Sequence, residues 1–339
     1  MKKLNQNELS RRHFLKVTAA FAALACLPGC ASATKSTTDR WGYVLPKRRL
    51  GKSGLDVTMF ALGGGPGYPY GGEVEDIVEA AFRGGCRFFE TARSYGTEAP
   101  YGKVLKPYRS EIILSSKSRA LDADTLNREL DLTLKTLQTD YLDIYMMHNI
   151  TTHQYLERKL KGGVWDAIYK AKEEGKVKHL GFSGHANWDV NIEVIERNLP
   201  GLEIMLLPIN LIDTYQDSFT LNTLPKAVEN NIGVIAMKPI GGGAMTGLPI
   251  SWGQGVRGSV RPRVIPDVVS MREAQHFVYS MPIAAASFGC TEVWHVTENI
   301  ELAKSYKGMS KTEQENLMKR VVDIASNNHL EHYKHDDLV

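Results

Sequence analysis

The chain has 339 residues, of which 43% are hydrophobic and 23% charged, a globular composition with ample material for a large core. Its formal charge is +3, but residues 1–29 hold five Lys/Arg against one Glu; 36 basic and 37 acidic residues remain, which excludes a basic surface for nucleic acid. The cysteines Cys26, Cys30, Cys86 and Cys290 form no CxxC pair and no zinc spacing, which argues against a disulfide framework or structural metal and leaves only a Cys86–Cys290 bridge open.

Residues 1–33 read as an export signal. Ser10-Arg11-Arg12-His13-Phe14-Leu15-Lys16 resembles the twin-arginine signal, whose export machinery carries folded proteins, often with a cofactor already bound. The apolar run 17–25 behind it is too short to anchor stably across a bilayer core of about 30 Å. Leu27-Pro28-Gly29-Cys30 resembles a lipobox, which implies a lipid on Cys30; Ala31-Ser32-Ala33 is the alternative, an A-x-A cleavage site. The expected location is the periplasm, or the bacterial membrane through Cys30 alone. Residues 34–46, rich in Ser, Thr and charge, read as a linker. Residues 47–339 read as one domain.

From residue 48 onward strand-like and helix-like segments alternate, the signature of a parallel sheet. Residues 49–58 read as a small hairpin. Strands are expected at 59–62, 87–91, 112–116, 142–147, 179–183, 203–208, 233–237 and 284–288. Helical spacing of apolar residues marks 74–83, 122–137, 163–174, 190–198, 224–230, 271–279 and 293–305, with a short helix before the third strand. A last amphipathic helix starts near Ser310. Eight units in this length predict an α/β fold, a (β/α)8 TIM barrel with an N-terminal hairpin cap and an extra C-terminal helix. The stretch 241–266, after the seventh strand, has little periodicity and reads as a functional mouth loop. His329, His332 and His335 read as a polar tail, and no metal site is expected.

The chemistry gathers at strand ends, where a barrel of this kind carries its active site. Glu90 and Tyr95 follow the second strand, Lys117 closes the third and His148 the fourth. A phenol is a poor acid at neutral pH, since its free pKa is near 10. A neighbouring ammonium lowers that value, a carboxylate holds the ammonium, and an imidazole orients a substrate oxygen. Such a set donates a proton to a carbonyl oxygen as it becomes an alkoxide. The hydride must come from a nicotinamide cofactor.

Several stretches carry a resemblance in their order and spacing. They are Arg49-Leu50-Gly51-Lys52-Ser53-Gly54-Leu55, Gly85-Cys86-Arg87-Phe88-Phe89-Glu90-Thr91-Ala92-Arg93-Ser94-Tyr95-Gly96, Lys117, Tyr141 to His148, Leu180-Gly181-Phe182-Ser183-Gly184-His185, Met237-Lys238-Pro239-Ile240-Gly241-Gly242-Gly243, and Gly289-Cys290-Thr291-Glu292 with Glu298-Asn299. Over residues 48–305 the chain resembles the aldo-keto reductases. The resemblance implies an NAD(P)-dependent oxidoreductase acting on a small carbonyl or alcohol. Tyr95 would be the general acid, Lys117 and Glu90 would lower its pKa, and His148 would orient the carbonyl. The cofactor, NADP by family habit with NAD as the alternative, would lie across the mouth. Gly63 and Gly64 belong to that mouth but not to a Rossmann fingerprint. Ser183 would meet the carboxamide, Lys238, Pro239 and Gly241 the pyrophosphate, and Gly289, Thr291, Glu298 and Asn299 the adenosine end, the last two at the start of a helix.

The chain departs from the family at three places. Glu90 stands where the family has aspartate. Leu206 stands where a glutamine grips the carboxamide. Gly289 and His295 stand where basic residues meet the 2′-phosphate, leaving Lys238 or Arg257 to compensate. Tyr215 is the candidate for stacking on the nicotinamide. These departures motivate a second reading, a nicotinamide-binding sensor or partner-binding module with little or no turnover.

Overall fold

Period-two alternation puts two separate apolar sets on each central strand, and that decides the architecture. The computed structural model describes residues 33–65, 72–246, 268–325 and 330–334. Two antiparallel hairpins come first, β1 (Thr37–Asp39) with β2 (Gly42–Val44) and β3 (Lys47–Arg49) with β4 (Asp56–Thr58). Eight parallel strands follow: β5 (Phe60–Gly63), β6 (Phe88–Glu90), β7 (Ile113–Ser118), β8 (Leu142–Met147), β9 (Val177–Ser183), β10 (Leu202–Pro208), β11 (Gly233–Met237) and β12 (Ala285–Gly289). They pair in chain order, and β12 returns to β5, closing the expected barrel.

On β8, Ile144 and Met146 join a small cluster with Phe88, Ile204, Leu206 and Ile235, which fills the lumen. Tyr145 and Met147 belong to the larger cluster under the helices. The hairpin β3–β4 seals the base by contributing Leu50 and Val57 to the lumen cluster. The fit there is close. A Cβ on Gly51, whose φ is +50°, would lie 2.3 Å from the Gly233 nitrogen, so only glycine admits this approach.

The outer layer is α1 (Gly72–Arg83), α2 (Glu98–Leu105), α3 (Ala123–Leu137), α4 (His153–Lys161), α5 (Val164–Glu173), α6 (Trp188–Glu196), α7 (Thr223–Glu229), α8 (Met271–Tyr279) and α9 (Val293–Ser305), with α10 (Lys311–Ala325) as the added C-terminal helix. The sequence reading missed α4. Thr152 caps it by accepting the Tyr155 N–H at 3.1 Å, but only Leu156 and Lys159 are fully buried along it, too few to mark a helical stripe.

Two expectations need correction. Residues 34–46 are not a free linker, because β1–β2 folds onto the barrel. Arg87, with 2% of its side chain exposed, pairs with Asp39 at 2.7 Å. Trp41 meets Tyr108 edge-on at 4.9 Å. The expected polar tail is buried at 331, 333 and 334. Lys334 reaches Asp213 at 2.8 Å and Glu331 at 2.6 Å, and all three side chains are at most 1% exposed. It also donates to the Gln216 carbonyl at 2.7 Å. Burial and the Asp213 charge push the Glu331 carboxyl upward. Burial opposes the Lys334 charge, yet the two carboxylates win and raise its pKa. Residues 1–32 of the 1–33 signal lie outside the described residues, as do Arg257, His329 and His335. Among the described residues no helix is long and apolar enough to cross a membrane. No group of His, Cys, Asp and Glu among them suits a metal. Cys86 and Cys290 are buried and form no disulfide.

Removing the Lys334 ammonium leaves two buried carboxylates without their cation. Lys334→Met is therefore expected to destabilise the fold by about 3–5 kcal/mol, read as a lower urea midpoint at unchanged slope.

Candidate active site

The inward phase of the strands aims the polar residues at one mouth. It runs from Phe88 to Glu90, from Ile113 through Ser115 to Lys117, and from Ile144 through Met146 to His148. Lys117 contacts Glu90 Oε1 directly, and its Nζ also donates to the Thr91 carbonyl at 2.9 Å. Glu90 Oε2 accepts from Ser287 Oγ at 3.1 Å. The Lys117 Nζ lies 4.5 Å from the centre of the Tyr95 ring. The Tyr95 hydroxyl is 3.4 Å from His148 Nε2. The structure thus brings together the phenol, ammonium, carboxylate and imidazole expected from sequence.

Tyr95 ends a 3-10 turn, Arg93–Tyr95, and Gly96 takes φ +77° to close it. The turn is pinned from below. Arg93 pairs with the buried Glu98, whose other oxygen accepts from Ser116 and Thr133, both at 2.8 Å. Sequence reasoning missed Glu98 and Ser287. Their signal was local: Glu98 lies three residues past Tyr95, and Ser287 stands in a strand phase otherwise lined by alanine.

The charges differ in one respect from expectation. Burial raises the Tyr95 pKa; Lys117 lowers it and Glu90 raises it again, and the net direction is upward. Glu90 offsets the ammonium that was expected to bring it down. Burial acts against the charge on Lys117, but Glu90 and Tyr95 hold its pKa above the ordinary value. Burial, then Lys117 and Arg119, drive His148 well below 6.5, so it is neutral.

The cofactor candidates fall into three groups. Gly63 and Gly64 serve close packing: a Cβ on Gly63 would meet Ser287 Oγ at 2.5 Å, and one on Gly64 would meet Thr97 Oγ1 at 2.7 Å. Ser183 Oγ accepts the Asn149 N–H at 3.0 Å and keeps its own proton to donate. Leu206 is packed in the lumen cluster and offers no polar group.

The second group follows β11. Lys238, at φ +52°, and Gly241, at φ +62°, make a tight turn through the buried Pro239. The C-terminal tail, unforeseen from sequence, covers this turn: Lys238 Nζ is 5.0 Å from the Tyr333 ring centre, and a Cβ on Gly241 would lie 3.0 Å from the Leu330 oxygen. Tyr215 is held by α10, donating to the Met318 carbonyl at 2.6 Å.

The third group is the far end. Gly289 is exposed, with open space where a Cβ would stand. Thr291 donates its N–H to His295 Nδ1 at 3.2 Å. Glu298 and Asn299 lie in the middle of α9, not at its start. Asn299 Nδ2 turns back to the His295 carbonyl at 2.8 Å, while its buried Oδ1 has no partner among the described residues. A buried amide oxygen without a partner is able to accept a hydrogen bond from a donor group. Burial lowers the His295 pKa, so neither His295 nor Gly289 offers a cation to a phosphate.

A model of the Aldo/keto reductase family matches residues 59–275. That is well over half of the chain, and the chain belongs to this family of oxidoreductases. A model of the twin-arginine translocation signal sequence matches residues 8–28, so the leader is an export signal. The chain is similar to the oxidoreductase YrpG of Bacillus subtilis, 27% identical over 248 residues, covering 64% of this chain and 73% of that one. It is 31% identical over 219 residues to L-galactose dehydrogenase of Arabidopsis thaliana, covering 59% of this chain and 66% of that one. A solved aldo-keto reductase from Bacillus halodurans, in its holo form, superposes with a TM-score of 0.65 at 20% identity, over 81% of this chain and 96% of that one. That last likeness speaks for the fold.

A histidine held neutral in the fold but free to protonate once unfolded makes the unfolded state bind more protons, so stability rises with pH up to 6.5 and falls below it. Urea unfolding of the wild type is expected to weaken from pH 6.5 downward, by up to about 1.4 kcal/mol per pH unit from this group. In His148→Asn that part of the slope disappears.

Proposed function

We propose that the chain is an exported NAD(P)-dependent oxidoreductase that reduces an aldehyde or ketone to an alcohol, or runs the reverse, with Tyr95 as general acid and base. The observation that carries this reading is the Tyr95 hydroxyl set between His148 Nε2 at 3.4 Å and the Lys117 ammonium beside its ring at 4.5 Å. A bound nicotinamide would supply the hydride. Tyr95, its pKa raised, enters as the protonated phenol and gives its proton to the oxygen that gains charge. Neutral His148 orients that oxygen by a hydrogen bond without competing for the proton. Lys117, kept charged by Glu90, stabilises the phenolate left behind.

Ser183, the turn at Lys238, Pro239 and Gly241, and the end at Gly289, Thr291, Glu298 and Asn299 would hold the cofactor, with Gly63 and Gly64 behind Glu90. No cation at 289 or 295 favours NADP over NAD, so both belong in the test. The reading also includes a lipid on Cys30 that anchors the exported protein; Cys30→Ser is then expected to release it from membranes.

Leu206, apolar at the position facing the carboxamide, favours the second reading: a nicotinamide-binding sensor with little turnover. Steady-state oxidation of NADPH and NADH with small carbonyls separates the two. For the enzyme, Tyr95→Phe is expected to lower kcat by about 10²–10⁴ while cofactor binding, read by fluorescence quenching, stays within about twofold. Tight cofactor binding without turnover, not improved by Glu90→Asp, would instead support the sensor.

A further inference from the structure

Beside the catalytic group stands a cation that the reaction above does not use. Arg119 follows β7, two residues beyond Lys117, and its side chain is exposed. Unlike that of Lys117, the Arg119 side chain has no ion pair or hydrogen bond among the described residues. Its backbone is fixed from beneath. Lys159, fully buried on α4, donates to the Arg119 carbonyl at 3.0 Å and the Ala120 carbonyl at 2.7 Å. Ser118 Oγ accepts the Ala120 N–H at 2.9 Å.

The same Lys159 ammonium lies 4.9 Å from the ring centre of Tyr155, one turn earlier on α4. It therefore joins the tip of the β7 loop to the face of α4 that carries a half-buried phenol. Burying an ammonium is costly; burial outweighs the attraction of Glu129 and, with the Arg119 charge, brings the Lys159 pKa down to about 7. The Arg119 charge bears on His148, Tyr95 and Tyr155 alike. After burial, the largest effects on His148 come from the positive groups of Lys117, Arg119, His185 and Lys159.

We propose that Arg119, braced by Lys159 and flanked by Tyr155, is an anion-recognition subsite, and that the substrate is a carbonyl compound carrying a carboxylate or phosphate. This deepens the reductase reading and rests on it. A planar guanidinium binds either anion through paired N–H donors, and the Tyr155 hydroxyl adds one more. Glu90 is committed to Lys117, and Glu129, the carboxylate nearest this loop, is hydrogen-bonded by Ser118 Oγ, so neither is paired with Arg119.

The test compares charged and neutral aldehydes on the full chain: succinate semialdehyde against butanal, and glyceraldehyde phosphate against glyceraldehyde. The kcat/KM of the charged member is expected to exceed that of its neutral partner by about tenfold or more. Arg119→Gln should collapse that ratio, and Arg119→Lys should retain part of it. The pair with the larger ratio separates carboxylate from phosphate. A ratio near one in the wild type, or one unchanged by Arg119→Gln, overturns the proposal. If no aldehyde is turned over, the reductase reading fails, and calorimetry with glutarate and inorganic phosphate judges the subsite alone. Binding weakened about tenfold in Arg119→Gln keeps it; equal binding, or none, ends it.

Discussion

The buried ion pair between Glu90 and Lys117 is the interaction on which the mouth of the barrel depends. Both side chains are nearly sealed from water, at 6% and 1% exposure. Removing either would strand a charge in a low-dielectric interior. Further bonds run from Lys117 to the Thr91 carbonyl and from Ser287 to Glu90. The glutamate's length matters here. Its second oxygen crosses to β12, so one side chain links β6, β7 and β12, while the bare backbone of Gly63 on β5 leaves the room it needs.

Around that pair the mouth is electrically lopsided. On the β7–β8 side, Arg119 and Lys159 add cations without carboxylates bonded to them. On the β9–β11 side, the tail brings Asp213, Glu331 and Lys334 together as a closed triad, and Asn210 and Tyr333 complete its hydrogen bonds. His148 sits between the two sides and stays neutral. One flank thus carries cations with no carboxylate bonded to them, and the other has its charges satisfied internally.

Much of this was legible in the sequence. The eight strands show as apolar runs, and the polar residue that ends each run, Glu90, Lys117 or His148, continues the inward phase of its strand. That is why these three residues, far apart in the chain, could be placed at one mouth, with Tyr95 five positions after Glu90 beside them. Helix α4 was missed because its surface is mostly polar. The tail was misjudged because Glu331, Tyr333 and Lys334 look like solvated residues; they are buried only because Asn210 and Asp213, more than a hundred positions earlier, provide exact charge and hydrogen-bond partners. The direction of the Tyr95 shift was misjudged for a related reason. Composition names the ammonium, but geometry is needed to see that burial first, and the carboxylate after it, push the phenol the other way.

The two cysteines outside the leader acquire a meaning from their setting. Outside a reducing cytosol a reactive thiol is a hazard. Burial pushes the Cys86 thiol up to about 11 and the Cys290 thiol up to about 12. The thiolate is the species that oxidants and disulfide exchange require. The twin-arginine route carries folded chains, so sulfurs buried in this fold would make the crossing already shielded from oxidants.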